Sequence, residues 1–211
     1  MEFTRLYLIR HGQVANHHEY RYNGHFDVDI TPTGVEQMNR LSDFLANEPI
    51  KSMYSSDLQR AVKGARIIGN RLGLNPVMVN SLREIHLGRW EGLTREEAAA
   101  LYPEEADFSF KDLATSKVQG GESLVDLRAR VVPALSEIIE RHRGEAICIL
   151  AHGGVNRVIL SEVLGLDIRN FFRIEQDYGC LNVIEYYNDG MQVVKLLNGG
   201  PNQDFSINKI Y

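Results

Sequence analysis

Two apolar runs in this chain end on a histidine followed by glycine. Leu6-Tyr7-Leu8-Ile9 stops at Arg10-His11-Gly12, and Ala146–Ala151 stops at His152-Gly153-Gly154. Short continuous apolar runs of this kind predict buried strands. Ligands of open α/β sheets sit just beyond the carboxyl ends of such strands. Two imidazoles brought to one sheet edge suit either metal binding or phosphoryl transfer. Arg10 favours the second, because a guanidinium repels a cation but matches phosphate bidentately. On this reading His11 is a nucleophile toward phosphorus, Arg10 clamps the phosphoryl group and His152 hydrogen-bonds its oxygens. Arg60 adds a second guanidinium. It follows Ser55-Ser56-Asp57 and falls in the first turn of a helix, where backbone N–H groups also favour anions. Arg10, Arg60 and a protonated His152 would neutralise the equatorial oxygens, which phosphoryl transfer needs more than covalent help. A cationic pocket would keep His11 neutral. Glu84 is the candidate proton donor to the leaving alkoxide, kept protonated by apolar walls that include Trp90, and later the base for water.

The elements that must position these groups alternate. Phe3–Ile9 predicts a strand, and the polar stretch from His11 to Ile30 a long functional loop. A helix starts at Thr31-Pro32 with Val35, Met38, Leu41 and Leu45 on one face. A strand follows over Ile50–Ser55, then a helix capped by Asp57 and stopped by Gly73, then a strand over Pro76–Val79. Thr94 with Glu97 forms a capping box for a helix to Tyr102. Ser123 caps a long helix to about Arg143, with Pro133 as an expected kink. A helix over Val155–Leu164 follows the second histidine strand, and Leu181–Tyr187 and Met191–Leu197 form a hairpin across Asn188-Asp189-Gly190. The order predicts an α/β fold, with helices on both faces of a parallel or mixed sheet. A single domain over 1–211 is expected, with 87–120 as an insertion over the site and a loosely attached tail after Gly199.

The 211-residue chain has 44% hydrophobic and 24% charged residues and a net charge of −5. That balance argues against nucleic acid or a membrane surface as partner. No apolar run reaches transmembrane length, and the N-terminus has no signal-peptide pattern, so a cytoplasmic location is expected. Cys148 and Cys180 sit among apolar residues and are expected to be buried thiols. His17, His18, His25, Asp27 and Asp29 cluster in sequence but lack a recognised metal-ligand spacing.

Five segments together resemble the histidine phosphatase superfamily, which contains the cofactor-dependent phosphoglycerate mutases. They are Arg10-His11-Gly12, Ser55-Ser56-Asp57-Leu58-x-Arg60-Ala61, Leu82-x-Glu84-x-x-x-Gly88-x-Trp90-Glu91-Gly92, Gly121-Glu122-Ser123 and Ala151-His152-Gly153-Gly154. The resemblance spans roughly Phe3 to Leu197. It implies a three-layer α/β/α sandwich with a mostly parallel sheet and a helical insertion over the site. It also implies a phosphohistidine on His11, a phosphate pocket of Arg10, Arg60 and His152, Glu84 as proton donor, and no metal or other cofactor. Asn23, Gly24 and Gly153 fall at its phosphate-binding positions. The loop after His11 departs from the pattern. Val14 and His17 stand where the family has Ser or Thr and Asn, with Asn16 one place early, so Asn16 or His17 would replace the usual hydrogen bond.

The segment from Leu93 to Gly120 holds three basic residues (Arg95, Lys111, Lys117) against six acidic ones. A mutase must also bind a carboxylate, so hydrolysis is expected over mutase activity. Leu101, Tyr102, Phe108, Phe110 and Leu113 would instead face an uncharged or aromatic group. The expected partner is a small-molecule phosphate ester, α-ribazole 5′-phosphate being the leading substrate, and the chain is expected as monomer or homodimer. Phosphoglycerate mutase, a phospho-ligand-binding module with little catalysis, and a metal-dependent hydrolase are the alternatives.

Overall fold

The computed structural model describes residues 2–109 and 112–200. Phe110, Lys111 and the tail from 201 onward therefore lie outside the described residues. The chain runs β1 (Phe3–Arg10), α1 (Pro32–Leu45), β2 (Ile50–Ser55), α2 (Gln59–Leu72), β3 (Val77–Met78), α3 (Arg95–Leu101), α4 (Leu124–Arg141), β4 (Ala146–Ala151), α5 (Gly153–Val163), β5 (Leu181–Tyr187) and β6 (Gln192–Gly199). One six-stranded sheet has the order β3-β2-β4-β1-β5-β6. β1, β4, β2 and β3 pair in parallel, and β5 and β6 add the two antiparallel pairings. The sheet is thus mixed, with the two histidine strands adjacent at its centre.

Strand alternation sorts the core into two layers. Leu6, Leu8, Ile147 and Ile149 pack with Leu127 and Val131 of α4 and Val155 and Ile159 of α5. Tyr7, Ile9, Cys148 and Leu150 pack on the other face with Met38 and Leu41 of α1 and Ala61, Ala65 and Ile68 of α2. Burial on both faces is why these strands read as continuous apolar runs. Both thiols are free and buried, and burial pushes the Cys148 thiol up to about 12.

Local signals placed most helix starts. Thr31 accepts from Gly34 N–H, and Thr94 and Ser123 each form a complete capping box with Glu97 and Asp126. α4 is one helix that contains Pro133. One expectation changes. Asp57 does not cap α2: it forms a bidentate pair with Arg83, both bonds 2.7 Å. Instead, Asp27 reaches across from the long loop and accepts the Gln59 N–H at 2.8 Å. A charged fork outcompetes a single neutral donor for Asp57, and the helix start is capped from 32 residues away. Among the described residues, no helix is long and apolar enough to cross a membrane.

Candidate active site

The parallel register of β1 and β4 sets Arg10 opposite Ala151, so both histidines leave the sheet at one edge. His11 N–H donates to the Ala151 carbonyl at 3.1 Å. The two rings lie 5.1 Å apart, nearly edge to face. Gly12 permits this exit, because a Cβ there would come within 2.4 Å of the Gly34 carbonyl oxygen. Nδ1 of His11 lies 2.8 Å from the Gly12 carbonyl. A carbonyl only accepts, so Nδ1 carries the proton and Nε2 keeps its lone pair. Burial, then Arg60 and Arg10, hold the His11 pKa well below 6.5, so the ring is neutral at pH 7.

A cavity of about 220 Å³ is lined by Arg10, His11, Asn23, Gly24, Arg60 and Glu84, among others. Arg60 is 1% exposed. It donates to the carbonyls of Phe26 (3.0 Å) and Gly24, tying α2 to the loop after His11. At the start of α2 the Gln59 N–H is taken by Asp27 and those of Ala61 and Val62 by the Leu58 carbonyl, and Arg60 adds its guanidinium. Arg10 stacks on the Tyr178 ring, Cζ 4.0 Å from the centroid, and donates to the Gln176 carbonyl. Gln176 is itself locked in a buried amide network with Asn182 and Asn156.

His152 is fully buried. Both of its ring nitrogens and Nε of Arg10 lack hydrogen-bond partners. Buried polar atoms are rarely left so, and two donors beside His11, the Arg10 Nε–H and one His152 N–H, suit an oxygen-rich anion. The expected protonated His152 is corrected: burial, then Arg60, His11 and Arg10, push its pKa well below 6.5. It is neutral at pH 7 and offers one N–H.

Glu84 accepts from the backbone N–H groups of Gly154 (3.0 Å) and Ile85 (2.9 Å). The shielding expected from Trp90 is absent. Trp90 stacks on Tyr22 at 5.2 Å and packs edge-on to Phe108, so it buttresses the long loop instead. Arg130 of α4 holds the Glu84 segment by donating to the carbonyls of Ser81, Arg83 and Glu84, and pairs with Glu122. Glu91 is occupied structurally, accepting from His25 and Leu87 N–H.

The remaining expected residues lie outside this cavity. Gly153 packs against Arg10, a Cβ there falling 3.4 Å from Nε. Asn16 forms a reciprocal amide pair with Asn23, at 2.7 and 3.1 Å. Val14 is buried and bridges to Ile30. The His17 ring turns to the Val14 carbonyl at 3.1 Å and lines a second cavity, of about 420 Å³. The acidic cluster is dispersed: Asp27 binds Gln59 and Asp29 pairs with Lys63. Among the described residues, no group of three His, Cys, Asp or Glu is placed to hold a metal.

From 87–120, Leu87 lines the first cavity and Arg95 the second. Its acidic excess is largely spent elsewhere: Glu97 pairs with Arg21, and Glu104 and Glu105 with Arg89. Among the described residues, the apolar members expected there, Leu101, Tyr102, Phe108 and Leu113, do not line the cavity. Leu113 joins the core, Phe108 packs on Trp90, Tyr102 stacks on Arg89 and Leu101 is exposed. The aromatic wall comes from Tyr22 and Tyr178. Sequence reading missed Tyr178, which sits in an irregular loop with only Gly179 to mark it.

Fold and site together define an α/β protein with a cationic, histidine-bearing pocket at the centre of its sheet edge. The chain belongs to the histidine phosphatase superfamily (branch 1), whose family profile matches residues 6–199. It is 35% identical over 179 residues to the glucosyl-3-phosphoglycerate phosphatase of Mycolicibacterium vanbaalenii, covering 81% of this chain and 79% of that one. It is 29% identical over 193 residues to phosphoserine phosphatase 1 of Hydrogenobacter thermophilus, covering 92% of each. The α-ribazole phosphatase from Shigella flexneri superposes with a TM-score of 0.85 at 25% identity, over 92% of this chain and 96% of that one.

Proposed function

We propose that this chain is a phosphomonoesterase that works through a phosphohistidine on His11. The carrying observation is the His11 tautomer: Nδ1 is tied to the Gly12 carbonyl, leaving Nε2 as nucleophile in a cavity shared with Arg10 and Arg60. The ester oxygens bind Arg10 and Arg60, and the orphaned donors of Arg10 Nε and His152 complete the cradle. Nε2 attacks phosphorus as the P–O bond to the alcohol breaks. Charge building on the equatorial oxygens is met by two fixed guanidiniums and the His152 N–H. Glu84 gives its proton to the leaving alkoxide, then takes one from the water that cleaves the N–P bond, restoring His11 and releasing phosphate. No step requires a metal.

The three relatives are named for different substrates, and what those share is a phosphate monoester. A set of small phosphate esters, α-ribazole 5′-phosphate among them, is therefore the substrate class. The test is hydrolysis of a chromogenic aryl phosphate in EDTA by wild type and His11→Ala. Turnover that persists in EDTA and vanishes in His11→Ala supports the reading. Activity that needs added metal, or an active His11→Ala, overturns it.

A further inference from the structure

His25 lies in the loop after His11, between Gly24 and Phe26, whose carbonyls anchor Arg60. Its ring crosses to the segment after β3. Nε2 lies 2.8 Å from the Glu84 carbonyl oxygen. A carbonyl only accepts, so Nε2 carries the proton. The same oxygen accepts from Arg130 Nη2 at 2.8 Å, so both of its lone pairs are used. Burial lowers the His25 pKa from its ordinary 6.5, outweighing the pull of Glu91. The ring is therefore neutral at pH 7, and its one N–H is spent on Glu84.

The two backbones also meet closely here. The His25 N–H donates to Glu91 Oε1 at 2.6 Å, and the Leu87 N–H to the same oxygen at 3.0 Å. Gly24 sits at φ 45°, and a Cβ there would fall 2.3 Å from Glu91 Oε1 and 3.0 Å from the Ile85 carbonyl oxygen, so the loop has no room to slide. The His86 ring packs on His25, centroids 4.6 Å apart, and its Nδ1 is tied to the Gly120 carbonyl at 2.8 Å. Glu84 is thus held twice. Gly154 and Ile85 N–H groups fix its carboxylate, and Arg130 and His25 fix the main chain that carries it.

We infer that His25 is a positioning residue for proton donation, holding the Glu84 main chain so that its carboxyl meets the departing oxygen. This rests on the proposed hydrolase reading. His25 does not line the catalytic cavity, so it acts through Glu84. Its backbone bond to Glu91 survives substitution of the ring, which keeps the loop in place.

Benzyl phosphate and p-nitrophenyl phosphate carry similar rings but differ in leaving group. A benzyl alkoxide needs a proton as it departs, whereas a nitrophenolate leaves without one. The experiment takes the ratio of kcat/KM for benzyl phosphate to that for p-nitrophenyl phosphate in wild type, His25→Ala and His25→Gln. A 1 Å misplacement costs on the order of 100-fold, so a fraction of that should lower the ratio about tenfold in His25→Ala. His25→Gln, whose amide still donates to the carbonyl, should stay within about threefold of wild type. An unchanged ratio in His25→Ala, or an equal fall in both variants, overturns the role. If wild type fails on either ester, carbon-13 NMR of the Glu84 carboxyl, assigned with Glu84→Gln, decides the positioning by itself; failure on both also removes the hydrolase reading. A resonance that moves in His25→Ala and returns in His25→Gln supports the role, and one that stays in place refutes it.

Discussion

Replacing Gly154 by alanine tests the placement of Glu84 without removing the carboxylate. A Cβ at Gly154 would lie 2.2 Å from Glu84 Oε1. An ordinary contact begins near 3.4 Å, so the oxygen must retreat by about 1.2 Å, a displacement of the size that costs on the order of 100-fold in rate. The obstacle is the end of a flexible side chain, so the backbone need not move. The same displacement gives up the hydrogen bonds that Glu84 accepts from the Gly154 and Ile85 N–H groups, so a loss of about 1–2 kcal/mol is expected beside the kinetic effect. Steady-state kinetics with an aryl phosphate, beside a melting curve, is the assay. The expected result is kcat reduced about 100-fold in a protein that is folded at the assay temperature. A folded Gly154→Ala protein within about threefold of wild-type kcat would refute the role given to Glu84.

Other expectations follow from the buried groups. His11 and His152 have folded pKa values held below their unfolded value near 6.5. Between the folded and unfolded values the unfolded chain binds more protons, so stability rises with pH through that window and falls as pH drops below about 6.5. Urea unfolding should show a loss of about 2 kcal/mol from roughly pH 7.5 to 5.5, and His11→Gln with His152→Gln should flatten the slope; an unchanged slope contradicts the assigned neutrality. Asp27→Ala removes the cap on α2 and should cost about 1 kcal/mol, seen as a melting temperature lower by roughly 2–4 °C. Arg130→Met leaves three backbone carbonyls beside Glu84 without their donor and should cost roughly 3 kcal/mol, with kcat falling more than KM changes.

What the sequence made legible was local or periodic. β2 and β4 have the bounds that their apolar runs predict, and the Thr94–Glu97 capping box and the Ser123 cap formed, because each depends on neighbours three residues apart. Six of the ten expected site residues line one cavity, since strand ends in a parallel sheet converge by construction. What stayed hidden was long-range competition. Asp57 looks like a cap until Arg83 arrives in space, and the cap comes from Asp27. Trp90 is near Glu84 in sequence but faces Tyr22. His17 has the right spacing for a phosphate ligand, yet its ring is bound to the Val14 carbonyl. The charge count over 93–120 favoured hydrolysis over mutase activity, but it did not show that Glu97, Glu104 and Glu105 are paired with Arg21 and Arg89. Tyr178 had no signal beyond a glycine, and it touches both Arg10 and His11.

The central claim is a covalent phosphoryl group on His11 Nε2. Rapid mixing with a radiolabelled phosphate ester, an alkaline quench that preserves phosphohistidine, and peptide mapping test it directly. Burst labelling is expected, confined to the peptide bearing His11 and absent in His11→Ala. Turnover at full rate with no labelled protein, or label carried by another residue, would contradict it.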